Sequence, residues 1–414
     1  MRFRTAIIWS GVSQFGQSGI TLLSTMILGR ILSPDDFALI GLVSVLIALS
    51  QMMVDSEMGG ALLRKKEVDN SDYSTLFYYN LAVSIIIYAL IYIGAPYMAE
   101  YYNLPQLIDI TRIISLTIII HAFRVVQRIM IFRELKFKTY AVINLASGLV
   151  SLGIAVWIAL SGYGYWALVW QQIILAAANV VFMEIYNRFI PSLTFSVESF
   201  KYQFSFGISL IGSDAIKTIA NNIAPNIIGK ISTLQFTGYY SQTSRLTNFC
   251  QSSLGALMDQ SIFPMMAKLE SVAKIQSTYH KLMKYLVLGL IPLTILFIVF
   301  ASFIIDIAIG PQWLPAVWIF RILSLSILPT CVQILCRNIL KTLGETRKVL
   351  YLETIKSAIL LTLLLASALF NTVIVVWSVV IAQILGCVVW LFATNHEFRK
   401  AYANERENDI ITGR

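Results

Sequence analysis

Long apolar runs separated by short polar segments follow one another along the whole chain. Twelve of these runs approach the roughly 20 residues that a helix needs to cross a bilayer. They cover residues 6–28, 37–54, 76–95, 110–132, 139–160, 164–186, 203–229, 237–266, 284–309, 316–340, 349–370 and 373–394. The pattern predicts an all-α integral membrane protein with about twelve transmembrane helices.

The composition agrees with a membrane protein and argues against a nucleic-acid partner. Of the 414 residues, 57% are hydrophobic and 13% are charged, whereas soluble domains are about 25% charged. The net charge of +9 does not indicate nucleic-acid binding, because most basic residues lie between apolar runs, where membrane topology requires them. The four cysteines lie inside apolar runs without the histidine spacing of a metal site, so we expect no bound metal.

Basic residues are concentrated in every second connection between the apolar runs. Examples are the clusters at 64–66, 133–138 and 341–348, and both ends of the chain fall on the same side as these clusters. The opposite connections contain only Arg30 and Lys230. By the positive-inside rule, both termini are expected to be cytoplasmic.

The two basic exceptions lie in segments that resemble each other, LGRILSPDDF (28–37) and IGKISTLQF (228–236). With one residue deleted, the segments align as Gly29/Gly229, Arg30/Lys230, Ile31/Ile231 and Phe37/Phe236. An offset of half the chain predicts two pseudo-symmetric six-helix lobes in parallel orientation around a central cavity, as in secondary transporters. We place an N-terminal lobe at 1–200, a C-terminal lobe at 201–395 and a cytoplasmic tail at 396–414.

The seventh predicted helix carries polar residues in its middle. Asp214, Lys217, Asn221 and Asn222 follow helical spacing and share one face, and Pro225 interrupts the helix after them. Ionisable groups in a membrane helix usually face a water-filled cavity or the interior of a bundle. The hypothesis is a cavity-lining face, and the alternative is that Asp214 and Lys217 only neutralise each other.

Other polar positions extend this picture. The first helix has a stripe formed by Ser10, Gln14, Gln17, Ser18 and Thr21, which fits either close helix packing or cavity lining. Arg124, Arg245 and Arg321 lie within predicted helices, as does Asp259. Because these deep basic residues and Lys217 outnumber Asp214 and Asp259, we expect an anionic substrate bound by Lys217, Arg245, Arg321, Arg124, Asn221 and Gln14.

No enzyme signature is present. The chain has no P-loop, no G-x-S-x-G and no H-E-x-x-H motif. The longest connection on the outer side, about 96–109, is too short and too apolar to hold a catalytic domain. We therefore expect a transporter rather than an enzyme.

Several stretches resemble the Wzx-type oligosaccharide flippases of the multidrug/oligosaccharidyl-lipid/polysaccharide (MOP) exporter superfamily. The matching pieces are LGRILSPDDF (28–37), D-S-x-x-G-x-A-L-x-x-K-K (55–66), STLFYYNL (74–81), GYGYWALVWQQ (162–172), R-F-x-P (188–191) and TGYYSQTSRL (237–246). Glu57, Met58 and Gly59 depart from the simpler glycine-containing turn of relatives. The resemblance covers nearly the whole chain but does not identify a glycan.

The resemblance implies alternating access to a cationic cavity and flipping of undecaprenyl-diphosphate-linked repeat units across the bacterial inner membrane for surface polysaccharide biosynthesis. It also implies contact with membrane lipids and partnership with a polysaccharide polymerase and a chain-length regulator. A drug/cation antiporter of the same superfamily is the alternative, and it would favour acidic groups in the cavity. A membrane-embedded polymerase is less favoured because it would need a catalytic loop.

Energy input is expected to come from an ion gradient, since no ATP-binding motif is present. Protonation or Na⁺ binding at Asp214 or Asp259 would shift the balance between conformations if the ion binds them unequally. The alternatives are an ion pair of Asp214 with Lys217 and a hydrogen bond from Ser252 or Ser253 to Asp259.

Overall fold

The computed structural model describes residues 2–54, 58–266, 269 and 271–412. These residues form helices joined by short connections, and no strand occurs among them. Two compact units divide the chain, Met1–Gln242 and Thr243–Arg414.

The first unit contains ten complete helices and the start of an eleventh. They are α1 (Arg2–Ile31), α2 (Pro34–Val54), α3 (Met58–Arg64), α4 (Asn70–Tyr102), α5 (Leu107–Ile114), α6 (Leu116–Arg133), α7 (Phe137–Leu160), α8 (Trp166–Tyr186), α9 (Val197–Asn222), α10 (Ala224–Ile231) and α11 (Leu234–Met266).

The second unit contains the rest of α11 and the helices that follow it. They are α12 (Val272–Val299), α13 (Ala301–Ile309), a 3₁₀ helix (Pro311–Ala316), α14 (Val317–Ser324), α15 (Ile327–Thr342), α16 (Thr346–Ser367) and α17 (Thr372–Thr412).

Nine segments of the described chain are long and apolar enough to cross a membrane. They are Pro34–Met52, Asn70–Tyr102, Leu107–Arg133, Phe137–Leu160, Trp166–Tyr186, Val272–Val299, Pro311–Thr342, Thr346–Ser367 and Thr372–Tyr402. The sequence predicts three more spans in α1, in α9 with α10, and in α11, but these helices contain more polar residues and are not among the nine. The prediction of a many-spanning all-α membrane protein is confirmed.

Local capping explains where some helices begin and end. Asp69 and Asp72 form a reciprocal capping box at the start of α4, and Asn103 ends that helix in the left-handed region with φ of 55°. The hydroxyl of Ser196 accepts a hydrogen bond from the backbone of Ser199 at the start of α9.

The compact units divide the chain later than the predicted lobe boundary at residue 200. Helices α9 and α10 belong to the first unit because their side chains bind its backbone. The amide nitrogen of Gln203 donates to the carbonyl of Asp72 at 3.3 Å, and that of Asn226 donates to the carbonyl of Leu42 at 2.6 Å. At the other end, α17 continues as a helix through the segment predicted to be a tail.

The predicted repeat is visible where α1 meets α2 and where α10 meets α11. Helices α1 and α10 end at residues 31 and 231. The hydroxyl of Ser33 accepts from the backbone of Asp36 at 3.3 Å, and the hydroxyl of Thr233 accepts from the backbone of Phe236 at 3.2 Å. The matching caps show a constant offset of 200 residues. The predicted deletion that paired Phe37 with Phe236 is therefore wrong, since Asp36 occupies the equivalent position.

Contacts around α2 and the start of α11 have the form expected at a local two-fold axis, where equivalent residues meet each other. A Cβ atom on Gly41 would lie 2.5 Å from the hydroxyl of Ser241, its equivalent at an offset of 200. The contact from Asn226 to Leu42 is matched, within one residue, by the donation from Gln242 to the carbonyl of Thr25 at 3.3 Å. These contacts support an internal repeat.

Candidate functional site

The polar stripe of α1 is exposed. Gln14, Gln17 and Thr21 all lie at exposed positions. Helix α1 packs on α7 through another face, where Gly16 lies so close to Leu145 that a Cβ atom would not fit without movement. Of the two interpretations of the stripe, this arrangement favours an open polar face over a packing face.

Helix α9 presents a second exposed polar face in the same unit. Lys217 and Asn221, one turn apart, are exposed, whereas the amide of Asn222 turns back to the carbonyl of Thr218 at 2.9 Å. Asp214 lies outside the described side chains, so its predicted pairing with Lys217 stays a prediction.

Both faces lie far from the ends of their helices. Gln14 is 12 residues from the start of α1 and 17 from its end, or about 18 and 25 Å at 1.5 Å per residue. Lys217 is 20 residues from the start of α9 and 14 from the end of α10, or about 30 and 21 Å. The sequence predicts that both helices cross the membrane, where exposed amide and ammonium groups are costly in hydrocarbon and are stable in a water-filled space.

Arg124 lies half-buried on α6, one turn after His121. The ring Nε2 of His121 is 3.3 Å from the side-chain Nε2 of Gln51 on α2. The structure therefore brings polar groups of two helices together near Arg124. The sequence did not indicate Gln51, because the approach of α2 to α6 is a tertiary feature.

Arg245 is half-buried on α11 in the second unit. Asn248 and Ser252 follow it at spacings of three and four residues, and both are exposed. This spacing puts the three polar residues along one side of the helix.

Asp259, further along α11, is held by α15. Its carboxylate receives two hydrogen bonds from one guanidinium nitrogen of Arg337, at 2.9 and 3.2 Å, and one from the amide of Asn338 at 2.9 Å. Glu353 on α16 lies 3.8 Å from the same guanidinium. The partners of Asp259 are thus on another helix, and the alternative of a bond from Ser252 is wrong because that hydroxyl donates to a backbone carbonyl of its own helix.

Arg321, predicted to bind substrate, is exposed on α14. Its Nε donates to the backbone carbonyl of Ile298, the penultimate residue of α12, at 3.1 Å. The guanidinium is therefore engaged with the main chain of the same unit.

An ion pair with a buried carboxylate in the first unit was not indicated by the sequence. Asp72 is 3% exposed and accepts two contacts from the ammonium of Lys65, at 2.7 and 2.8 Å. The hydroxyl of Ser199 donates to the same carboxylate at 2.6 Å, and Gln203 donates to that hydroxyl at 2.8 Å. The hydrogen bond to Asp72 raises the pKa of Lys65 above its usual value. The cluster joins α9 to α4 and to the segment between α3 and α4.

An apolar crevice of about 570 Å³ opens between α2, α4, α5 and α10. Its lining is almost entirely hydrophobic, with Tyr102, Thr111 and Asn226 among the few polar residues. It does not fit an anionic head group. Among the described residues, no three His, Cys, Asp or Glu side chains lie close enough together to hold a metal ion.

Sequence comparisons find a family model and several relatives. The model for "Polysaccharide biosynthesis protein" matches residues 27–318. Teichuronic acid biosynthesis protein TuaB of Bacillus subtilis (strain 168) is 22% identical over 77% of this chain and 66% of its own length. Succinoglycan biosynthesis transport protein ExoT of Rhizobium meliloti (strain 1021) is 25% identical over 58% of this chain and 49% of its own length. The chain thus spans less than two thirds of the length of each of these two relatives.

A third relative is lipopolysaccharide biosynthesis protein WzxC of Escherichia coli (strain K12), 21% identical over 81% of this chain and 68% of its own length. Among solved structures, the inward-facing conformation of a multidrug resistance MATE family transporter of the MOP superfamily aligns with a TM-score of 0.73 and 14% identity, covering 94% of this chain and 96% of that one. Lipid II flippase MurJ, inward closed, aligns with a TM-score of 0.74 and 15% identity, covering 96% and 90%. These alignments confirm that the chain has the fold expected from its resemblance to the MOP superfamily.

Proposed function

Since the chain belongs to the polysaccharide biosynthesis protein family, we propose that it flips undecaprenyl-diphosphate-linked oligosaccharide repeat units across the bacterial inner membrane. The observation that carries the proposal is the exposed ammonium of Lys217 in the middle of the segment formed by α9 and α10, where the sequence predicts a membrane span. The cost of placing this charge there is offset only if an aqueous path or an anion stabilises it. A diphosphate supplies the anion, and hydrated sugars need the water.

Exposed amides along the proposed aqueous path can form hydrogen bonds with sugars. Asn221 lies one turn from Lys217, and Gln14 lies at similar depth on α1. Amide groups both donate and accept hydrogen bonds, so they can replace the water around sugar hydroxyls without fixing one sugar. Lys217 would bind the diphosphate as a point charge, while Asn221 and Gln14 would contact the saccharide.

Arg124 and Arg245 are proposed as further contacts for phosphate or acidic sugars. Both are half-buried, Arg124 on α6 and Arg245 on α11. A guanidinium binds phosphate or carboxylate through two parallel hydrogen bonds, which gives it more directional preference than lysine has. Arg321 stays a proposed contact through its other guanidinium N–H groups, since the backbone carbonyl of Ile298 engages only its Nε.

A drug/cation antiporter remains the alternative function. The fold does not separate the two, because a multidrug transporter and a lipid flippase align almost equally well. The exposed charge of Lys217 favours an anionic substrate, since an ammonium in the path would repel a cation.

Coupling to H⁺ or Na⁺ through Asp214 or Asp259 is part of the proposal. Asp259 is held by Arg337 and Asn338 in the conformation described. Protonation or Na⁺ binding at this carboxylate would weaken its attraction to Arg337 and so loosen this link between α11 and α15. The ion would bias transport only if it binds the two conformations unequally.

The proposed location is the inner membrane with both termini in the cytoplasm, as the distribution of basic loops predicts. A polysaccharide polymerase and a chain-length regulator are proposed as partners, because repeat units delivered to the outer leaflet must be joined there.

The test is depletion of the protein in its own host. We expect surface polysaccharide to disappear while undecaprenyl-diphosphate-linked repeat units accumulate in the inner membrane. Restoration by Lys217→Gln should be much weaker than by Lys274→Gln, which removes an exposed charge near the start of α12. Normal surface polysaccharide after depletion would contradict the proposal.

A further inference from the structure

Two arginines occupy matching positions in a second internal repeat. Residues 112–119 read RIISLTII and residues 321–328 read RILSLSIL, an offset of 209. The arginine, the following isoleucine, the serine, the leucine and a second isoleucine are identical, and the other positions differ only between Ile and Leu or Thr and Ser.

The structure repeats as well. Helix α5 is separated from α6 at Ser115, and α14 from α15 at residues 325 and 326. At the first break the hydroxyl of Thr117 donates to the carbonyl of Ile114 at 2.7 Å. At the second, the hydroxyl of Ser326 donates to the carbonyl of Leu323 at 2.5 Å. Both pairs are related by the same offset of 209, so the two breaks are equivalent.

Arg112 binds a carbonyl that a proline has left without its helical donor. Pro96 lies inside α4 and has no N–H, so the carbonyl of Tyr92 cannot receive the usual bond from four residues later. The Nε of Arg112 donates to that carbonyl at 3.4 Å. Its guanidinium also lies over the ring of Tyr92, 4.0 Å from the centroid. Tyr92 is 42% exposed within a span that crosses the membrane, so water is not a dependable substitute.

Arg321 also binds a backbone carbonyl without a helical donor, but here the end of a helix rather than a proline removes the donor. Helix α12 ends at Val299 and α13 begins at Ala301, so Ile298 lies in a last turn whose carbonyls lack intrahelical donors. The Nε of Arg321 donates to the carbonyl of Ile298 at 3.1 Å. A proline in one unit and a helix end in the other thus each leave a carbonyl without a helical N–H donor. Equivalent arginines donate a hydrogen bond to these carbonyls.

We propose that Arg112 and Arg321 are repeat-related positioning residues, which bind the freed carbonyls of α4 and α12 and thereby hold α5 and α14 against these helices. A charged donor suits this role because charge-assisted hydrogen bonds are stronger than neutral ones. The guanidinium also has further N–H groups for solvent or lipid phosphate. This inference goes beyond the proposed function and does not depend on it, since it concerns how the helices are held.

The proline provides a specific test for Arg112. Pro96→Ala restores an N–H that can donate to the carbonyl of Tyr92. We expect Arg112→Gln to lower the midpoint of thermal unfolding in detergent by several degrees, and to lower it by less than half as much in the Pro96→Ala background. Arg112→Lys should retain part of the stability, because an ammonium can also donate to a carbonyl.

Arg321→Gln is the matched control. Arg321 binds the carbonyl of Ile298, which Pro96 does not free. The loss of stability caused by Arg321→Gln should therefore be the same with and without Pro96→Ala. If Arg112→Gln does not accumulate in membranes, recovery of its abundance by Pro96→Ala gives the same information. An equal loss for Arg112→Gln in both backgrounds would overturn the proposal. For Arg321, loss of transport at an unchanged unfolding midpoint would overturn the positioning role and leave substrate contact as the function of this residue.

Discussion

The ion pair between the half-exposed Lys65 and the buried Asp72 allows a prediction in which removal of Lys65, the more exposed partner, costs more. The side chain of Lys65 is 41% exposed and that of Asp72 is 4% exposed. Replacing Lys65 by Met leaves a buried carboxylate without its counter-charge. Replacing Asp72 by Asn leaves an ammonium that can turn to water.

The magnitude follows from the remaining hydrogen bonds. Breaking a fully buried pair by removing one partner costs about 3–5 kcal/mol. Here the carboxylate of Asp72 keeps donors from Ser199 at 2.6 Å and from the backbone of Asp69 at 3.2 Å, and exposure of Lys65 weakens the pair further. We therefore expect Lys65→Met to lower the free energy of unfolding by about 2 kcal/mol and Asp72→Asn by about 1 kcal/mol.

The assay is a double-mutant cycle on purified protein, unfolded with denaturing detergent in mixed micelles. In the Asp72→Asn background, Lys65→Met should cost close to nothing, because the charge that needed Lys65 is gone. Lys66→Met removes the neighbouring exposed lysine and should change the free energy by less than about 0.5 kcal/mol. A cost of Lys65→Met that is equal in both backgrounds would refute this reasoning.

The pH dependence of the pair has a definite sign. The hydrogen bond to Asp72 raises the pKa of Lys65 above its usual value. A raised pKa on a basic group gives stabilisation that is complete below the unfolded value and is lost as the pH rises through the folded value. The difference between unmodified protein and Lys65→Met should therefore be the same at neutral and mildly acidic pH and shrink only in strongly alkaline solution.

Three further outcomes are expected. Gly238→Ala should destabilise the protein by about 1–3 kcal/mol, because its Cβ would overlap the backbone carbonyl of Pro34; Gly94→Ala, where a Cβ meets nothing within 4 Å, should not destabilise it. In proteoliposomes, Asp259→Asn should reduce the response of transport to an imposed proton or sodium gradient, and an unchanged response would mean that coupling lies elsewhere. Lys217→Gln should reduce surface polysaccharide at matched membrane abundance, and full display would exclude its contact with substrate.

The spans were predictable from the sequence because a membrane imposes a local requirement on apolar length. The repeat was predictable in part, since Arg30 and Lys230 mark equivalent helix ends at residues 31 and 231. The exact alignment was not, because matching Phe37 to Phe236 ignores the hydroxyl caps that set where each helix begins.

Tertiary pairings could not be read from one sequence. Asp259 and Arg337 are far apart in the chain and meet only because α11 lies beside α15. Pro96 indicates a freed carbonyl, but nothing local shows that Arg112 supplies the donor. The exposed position of Lys217 was predictable because a charged side chain inside an apolar run is stable mainly where water can reach it.

The most direct test of the central claim is flipping by the purified protein in lipid vesicles. A lipid-linked oligosaccharide with an undecaprenyl-diphosphate anchor is placed in both leaflets, and the outer pool is removed with a glycosidase that cannot cross the membrane. Vesicles with the protein should lose nearly all of the lipid-linked sugar, and Lys217→Gln should slow this loss relative to Lys274→Gln. Retention of the inner pool in vesicles that contain the protein, as in protein-free vesicles, would contradict the proposed flippase function.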